Sequence, residues 1–174
     1  MRFGTRKIVF IVAASVVAAL LLQFSLPAGG QLFGSHRPRQ NAVASVSTTF
    51  EPPVVKQGMA ATMIVTVHLT PGFHINSVKA GDPWIPTKLT VAPSTGLTFG
   101  VPRFPAAQSL KEAYFDKPLL VYTAAPVIRV PIHVASSAKK GAHKVSATLS
   151  YQGCNDKMCL PNASLPISAN VVVQ

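Results

Sequence analysis

Cys154 and Cys159 are the only cysteines of the 174-residue chain, and four residues separate them. They sit in Tyr151-Gln152-Gly153-Cys154-Asn155-Asp156-Lys157-Met158-Cys159-Leu160-Pro161. Two sulfurs this close in sequence can form and break one local disulfide, and thiol–disulfide exchange is the chemistry such a pair supports. Asn155-Asp156 supplies turn residues, and a four-residue loop is an ordinary hairpin length. Residues opposite one another in an antiparallel pair have Cα atoms about 4.5 to 5.5 Å apart. A disulfide spans roughly 4.4 to 6.8 Å. The two sulfurs are therefore expected to bond across the mouth of the turn.

Closing so small a loop is worth only about 2 kcal/mol in the chain-entropy model. A disulfide that staples a sandwich joins strands far apart in sequence, commonly in different sheets. This one would tie a hairpin to itself, which the backbone ladder already does. A redox-active pair is the preferred reading, and an exported binding domain with a purely structural clip is the alternative. A strand-borne cysteine lacks the helix N-terminus that lowers a thiol pKa in thioredoxin folds. Lys157 would favour a neighbouring thiolate and Asp156 would oppose it. With Tyr151, they are the candidates for tuning the pair. The expectation is a relay whose reactivity comes partly from its partner, with no cofactor, because the cysteines themselves carry the electrons.

The hairpin must be carried by strands. His143 to Tyr151 alternates, with Val145, Ala147, Leu149 and Tyr151 on one face. Ala44 to Phe50, Met59 to Leu69, Lys88 to Ala92, Leu97 to Val101, Leu119 to Thr123, Val127 to Val134 and Ser164 to Val173 also read as strands. Pro52-Pro53, Gln57-Gly58, Pro71-Gly72, Gly81-Asp82-Pro83, Ser94-Thr95-Gly96 and Lys140-Gly141 mark turns between them. Fifteen prolines argue against helices and suit edges and loops. About eight short strands at such spacing predict an all-β, immunoglobulin-like antiparallel sandwich over residues 44–174.

The cysteine segment, Tyr-Gln-Gly-Cys-Asn-Asp-x-x-Cys-Leu-Pro, resembles the active-site hairpin of the N-terminal periplasmic domain of the thiol:disulfide interchange protein DsbD. Pro71-Gly72-Phe73-His74-Ile75-Asn76-Ser77 and Ile85-Pro86-Thr87-Lys88-Leu89 are similar to further segments of that family, in the same order. The resemblance runs from about Ser45 to Val173. Asn162 departs from it, since the family often has a second proline there. It implies the same sandwich fold, and a thioredoxin-like protein as electron donor and acceptor. It also implies that the later cysteine, Cys159, faces the partner, and that a cap loop lays an aromatic over the pair. Tyr114 or Phe115 matches that aromatic, and Glu112 and Asp116 approximate the acidic residues around it. The full-length family proteins add a multi-helix membrane domain and a thioredoxin-like domain. Neither follows here, so the reductant is expected to be a separate polypeptide.

Arg2, Arg6 and Lys7 precede an uncharged apolar run from Ile8 to Leu22, which Gln23 to Leu26 extends to 19 residues before Pro27. Residues 1–30 read as a signal peptide with a small-residue cleavage site, or as an anchor through residues 8–26. Either sends the remainder out of the cytoplasm, to the periplasm or a similar compartment, where disulfides persist. Residues 31–43 show no period and read as a linker.

The net charge is +11; without Arg2, Arg6 and Lys7 there remain 13 basic and 5 acidic residues, a net +8. The basic residues are scattered without an aromatic-basic platform, so no nucleic-acid binding is expected. His68, His74, His133 and His143 lack metal-ligand spacing and read as strand or turn histidines. Cys154, Met158 and Cys159 with Met59 or Met63 form a soft set without a fixed third ligand, and no metal site is expected. Trp84 reads as a core or rim aromatic.

Overall fold

The computed structural model describes residues 41–111 and 118–174, which form strands joined by turns with no helix among them. In chain order the strands are β1 (Val43–Glu51), β2 (Val54–Val55), β3 (Ala60–Leu69), β4 (His74–Asn76), β5 (Lys88–Val91) and β6 (Leu97–Phe99). They continue with β7 (Gln108–Leu110), β8 (Leu119–Thr123), β9 (Val127–Val134), β10 (Gly141–Tyr151), β11 (Gly153–Cys154) and β12 (Ala163–Val173).

The period-two pattern decides which face of each long strand turns inward. In β3, Ala61, Met63, Val65, Val67 and Leu69 are buried, and in β9 Ile128, Val130, Ile132 and Val134 are. These strands pair with each other and lie between β1 and β6 in a four-stranded sheet of order β1-β3-β9-β6. The second sheet, β2-β12-β10-β5, buries Val145, Ala147, Leu149 and Tyr151 of β10 and Ile167, Val171 and Val173 of β12. Both buried faces belong to one continuous apolar core. Each Val, Ile or Leu side chain fully withdrawn from water contributes about 1.5 to 3 kcal/mol. That is an immunoglobulin-like sandwich, with antiparallel pairing except where β2 runs parallel to β12 at its end.

A third sheet, β11-β4-β8-β7, carries the cysteines. Three of its four strands, β4, β7 and β11, were not expected from the sequence, nor was β2. Each is only two or three residues long, too short for alternation to register. The hairpin also does not simply prolong β10. The β10–β12 ladder stops at Tyr151 opposite Ala163, and the chain between them crosses to β4. Asn41 and Ala42, inside the stretch that reads as linker, pack onto the domain: Ala42 is fully buried and its carbonyl accepts from the Thr70 amide at 2.9 Å.

Candidate functional site: the cysteine hairpin

Gln152 is where the chain changes sheets. Its backbone carbonyl accepts from the Asn76 amide at 3.1 Å, after which Gly153 pairs with Ile75 and Cys154 with His74. Gly153 is required by crowding: a Cβ there would collide with the Cβ of buried Ala42. The turn that follows is built by Asn155, whose Oδ1 accepts from the amides of Lys157 and Met158, both at 2.9 Å. Such an Asx arrangement imitates a backbone turn. The Asn155 amide donates to Met158 O at 2.9 Å, and the Leu160 amide closes the hairpin onto Gly153 O at 2.8 Å.

This turn brings Cys154 opposite Cys159 in an isolated antiparallel bridge. Their sulfurs are bonded, with Cα atoms 4.0 Å apart, slightly closer than opposed strand residues usually lie. The two cysteines differ in access. Cys154 is 2% exposed, whereas Cys159 is exposed.

Strand pairing aligns Thr123, His74, Cys154 and Cys159 across successive strands. Directly opposed residues of antiparallel strands project to the same face of a sheet, so these four form a row. Tyr122, Ile75 and Gly153 form the corresponding row on the other face.

Behind the hairpin is a polar junction. Asn76, fully buried, donates from Nδ2 to Ile85 O at 3.1 Å and to Gln152 Oε1 at 3.0 Å. The same Gln152 Oε1 accepts from the Ile85 amide at 3.3 Å, and Gln152 Nε2 reaches Leu160 O at 3.4 Å. The Thr87 hydroxyl donates to Asn76 O. The His-Ile-Asn, Ile-Pro-Thr and Tyr-Gln-Gly-Cys segments, well separated in sequence, thus meet at one network that orients the disulfide loop.

Of the residues expected to tune the pair, Asp156 and Lys157 lie exposed on the turn. Tyr151 is buried, and its hydroxyl donates to Asn41 Oδ1 at 2.7 Å. Burial pushes its phenol above the ordinary tyrosine range. Tyr151, Gly153, Leu160 and Asn41 also line a cleft of about 670 Å³ beside the hairpin. Glu112, Tyr114, Phe115 and Asp116 lie outside the described residues. Trp84 is half-buried. His68, His133 and His143 stand on β3, β9 and β10, and His74 on β4. Among the described residues no group of three or more His, Cys, Asp or Glu could hold a metal ion.

Asn155 builds the turn expected of it, whereas His74, Asn76, Gln152 and Gly153 were missed as site residues. All four lie inside the motif segments, but their roles depend on contacts between segments that spacing does not reveal.

The chain matches the model of one protein family, the N-terminal region of the thiol:disulfide interchange protein DsbD, over residues 40–168. No curated protein sequence matches it. Among solved structures, it is similar to the DsbD N-terminal domain of Neisseria meningitidis in the reduced form. That match has 20% identity and a TM-score of 0.44, covering 63% of this chain and 77% of that one. It is also similar to the N-terminal periplasmic domain of ScsB from Proteus mirabilis, at 14% identity and a TM-score of 0.50. There the match covers 76% of this chain and 47% of that one, so this chain spans about half of the ScsB structure. At this identity the likeness to ScsB is one of fold.

Proposed function

This chain belongs to the family of the N-terminal domain of the thiol:disulfide interchange protein DsbD, and from that premise we propose that it relays electrons between exported proteins through Cys154 and Cys159. The donor is a thioredoxin-like domain, and the acceptors are other exported proteins that carry disulfides. The leader, with its positive start and apolar run, directs the domain to a compartment where such disulfides form.

The observation that carries the proposal is the unequal burial of two bonded sulfurs. Exchange requires a thiolate to reach one sulfur of a disulfide and expel the other. Of the two bonded cysteines, only Cys159 is exposed. The donor thiolate attacks Cys159 Sγ, forming a mixed disulfide, while the Cys154–Cys159 bond breaks and its electron pair leaves on Cys154 Sγ. The donor's second thiolate then attacks its own sulfur in the mixed disulfide and releases Cys159 as a thiolate. Two electrons have moved: the donor is now a disulfide, and the pair is a dithiol after taking up two protons. The reverse sequence, with Cys159 attacking an acceptor disulfide and Cys154 resolving the product, passes the electrons on.

Residues around Cys159 suit a docking partner. Met158 beside it is exposed, and so is Ile85, which the Asn76–Gln152 network holds against the hairpin. The exposed Met158 side chain next to the reactive cysteine supplies contact area to any protein that must approach it closely.

The deciding experiment is the reduction potential of the Cys154–Cys159 couple, measured by equilibration with glutathione and with a thioredoxin-like domain. A relay lies within reach of such donors, whose potentials run from about −120 to −270 mV. A value below about −300 mV is that of a structural disulfide, and would make the hairpin a clip on a binding domain.

A further inference from the structure

We propose that His74 activates the disulfide, by stabilising the Cys154 sulfur when the Cys154–Cys159 bond breaks; the inference deepens the exchange function above and rests on it. His74 lies on β4 directly opposite Cys154 in the antiparallel ladder. Cross-strand partners have Cβ atoms about 4.5 to 5.5 Å apart on one face of the sheet, so the imidazole and the Cys154 side chain are neighbours in this row. Beyond Cys154 in the same row is Cys159, and on the other side of His74 is Thr123. Reactive sulfurs and imidazole therefore follow one another along the row.

Burial makes this neighbour matter. His74 is 6% exposed and Cys154 is 2% exposed. In so dry a setting water cannot solvate a departing thiolate, and a hydrogen bond to it is stronger than at the surface. Cys154 sits on a strand, so no helix N-terminus performs that task. The groups that face His74 in register, Thr123 of β8 and Cys154 of β11, carry no fixed charge, and Asn76 on its own strand is neutral. The charged residues of the adjoining turn, Asp156 and Lys157, are exposed and of opposite sign. Glu112, Asp116 and Lys117, between β7 and β8, lie outside the described residues.

In the first exchange step the donor thiolate bonds to Cys159 Sγ, and the electron pair of the old bond moves to Cys154 Sγ. The His74 imidazole N–H donates a hydrogen bond to that sulfur. This lowers the effective pKa of the leaving thiol, and thiol–disulfide exchange quickens as the leaving thiol becomes more acidic. The same contact stabilises the reduced pair and so makes the disulfide easier to reduce.

The test compares wild-type protein with His74→Phe, His74→Leu and His74→Gln. The rate of reduction by dithiothreitol and the equilibrium with glutathione are measured for each. The two apolar variants are expected to be reduced about tenfold more slowly. Their equilibrium shifts about tenfold toward the disulfide, which is about 30 mV for this two-electron couple. His74→Gln restores an N–H donor and recovers most of the rate. A folded His74→Phe or His74→Leu protein with wild-type rate and equilibrium overturns the proposal. A second measurement needs no variant: the His74 ring protons, followed by NMR, should titrate at different pH in the oxidised and reduced wild-type protein. Coincident titrations overturn the proposal as well. Dithiothreitol requires no protein partner, so this result is independent of whether thioredoxin-like domains reduce the pair.

Discussion

Cys154 and Cys159 are bonded across a single antiparallel bridge with Cα atoms 4.0 Å apart, yet one is 2% exposed and the other faces solvent. The asymmetry arises because Cys154 continues a strand pairing onto β4, while Cys159 has left the ladder at the far side of the Asn155 turn. Alkylation of the non-reduced protein should detect no free thiol. After reduction, iodoacetamide should modify Cys159 at least about tenfold faster than Cys154, since thiol reactivity follows access as well as pKa. Equal rates, read by mass spectrometry of the peptides, would mean that the hairpin opens on reduction and the asymmetry is lost.

The same difference predicts which single-cysteine variant traps a partner. Cys154→Ser retains the exposed Cys159 and should form a stable mixed disulfide with a thioredoxin-like domain lacking its resolving cysteine. Cys159→Ser retains only the buried sulfur and should give several-fold less complex. Non-reducing electrophoresis distinguishes them, and a stronger band from Cys159→Ser would assign the roles the other way round.

Gly153 lies so close to Ala42 that a Cβ at position 153 would overlap the Ala42 methyl. Gly153→Ala adds one methyl where a buried methyl already lies, and overpacking of this kind costs about 1 to 3 kcal/mol. Combining it with Ala42→Gly should recover part of that loss, because residues in contact do not behave additively. Urea denaturation of the two single variants and the double variant gives the coupling. Strict additivity would show that the hairpin moves away from the Ala42 segment instead of pressing on it.

Asn76 and Gln152 are joined by a side-chain hydrogen bond and both also bond the Ile85 backbone, Asn76 Nδ2 donating to its carbonyl and Gln152 Oε1 accepting from its amide. Asn76→Ala leaves Ile85 O and Gln152 Oε1 without their Nδ2 donor in a partly buried setting, a loss of about 1 to 3 kcal/mol. Gln152→Ala should cost a similar amount, and the double variant less than the two combined. The amides of Asn155 and Leu160, which close the hairpin, should also exchange hydrogen faster in either variant, because the network holds the loop that carries the cysteines. Unchanged exchange at those amides would make the network a support for the Ile85 segment alone.

How far the sequence reveals this protein follows from element length. β3, β9 and β10 alternate over eight or more residues, enough for period two to show, and β8 and β9 have the expected ends. The third sheet is made of β4, β7 and β11, with two or three residues each, around β8. Its existence depends on pairing partners and not on local pattern. The disulfide was legible because a hairpin can be deduced from turn residues within one segment. His74 opposite Cys154 was not, because their register is fixed by a strand pairing between positions far apart in the chain.

Tyr151 provides a pH-dependent test of how the domain is closed beneath the hairpin. Its ring is buried, and its hydroxyl donates to Asn41 Oδ1 at 2.7 Å, which also accepts from the Val43 amide at 3.2 Å. Burial raises the folded-state pKa of this phenol above its ordinary value of 10.0. The folded protein therefore keeps the proton at a pH where the unfolded chain has released it. The linked stabilisation is fully present below the unfolded pKa and is lost as pH rises through the folded one. Tyr151→Phe retains the ring and removes the hydroxyl, so near neutral pH it should cost about 1 kcal/mol for the lost hydrogen bond. Above pH 10 the variant should lose stability less steeply than wild type. Tyr122 is likewise raised by burial, so a residual alkaline slope should remain in Tyr151→Phe and fall further when Tyr122→Phe is added. Urea unfolding between pH 7 and pH 11 measures both slopes. If the wild-type and Tyr151→Phe curves run parallel through that range, the phenol holds its proton no more tightly in the folded protein than in the unfolded chain.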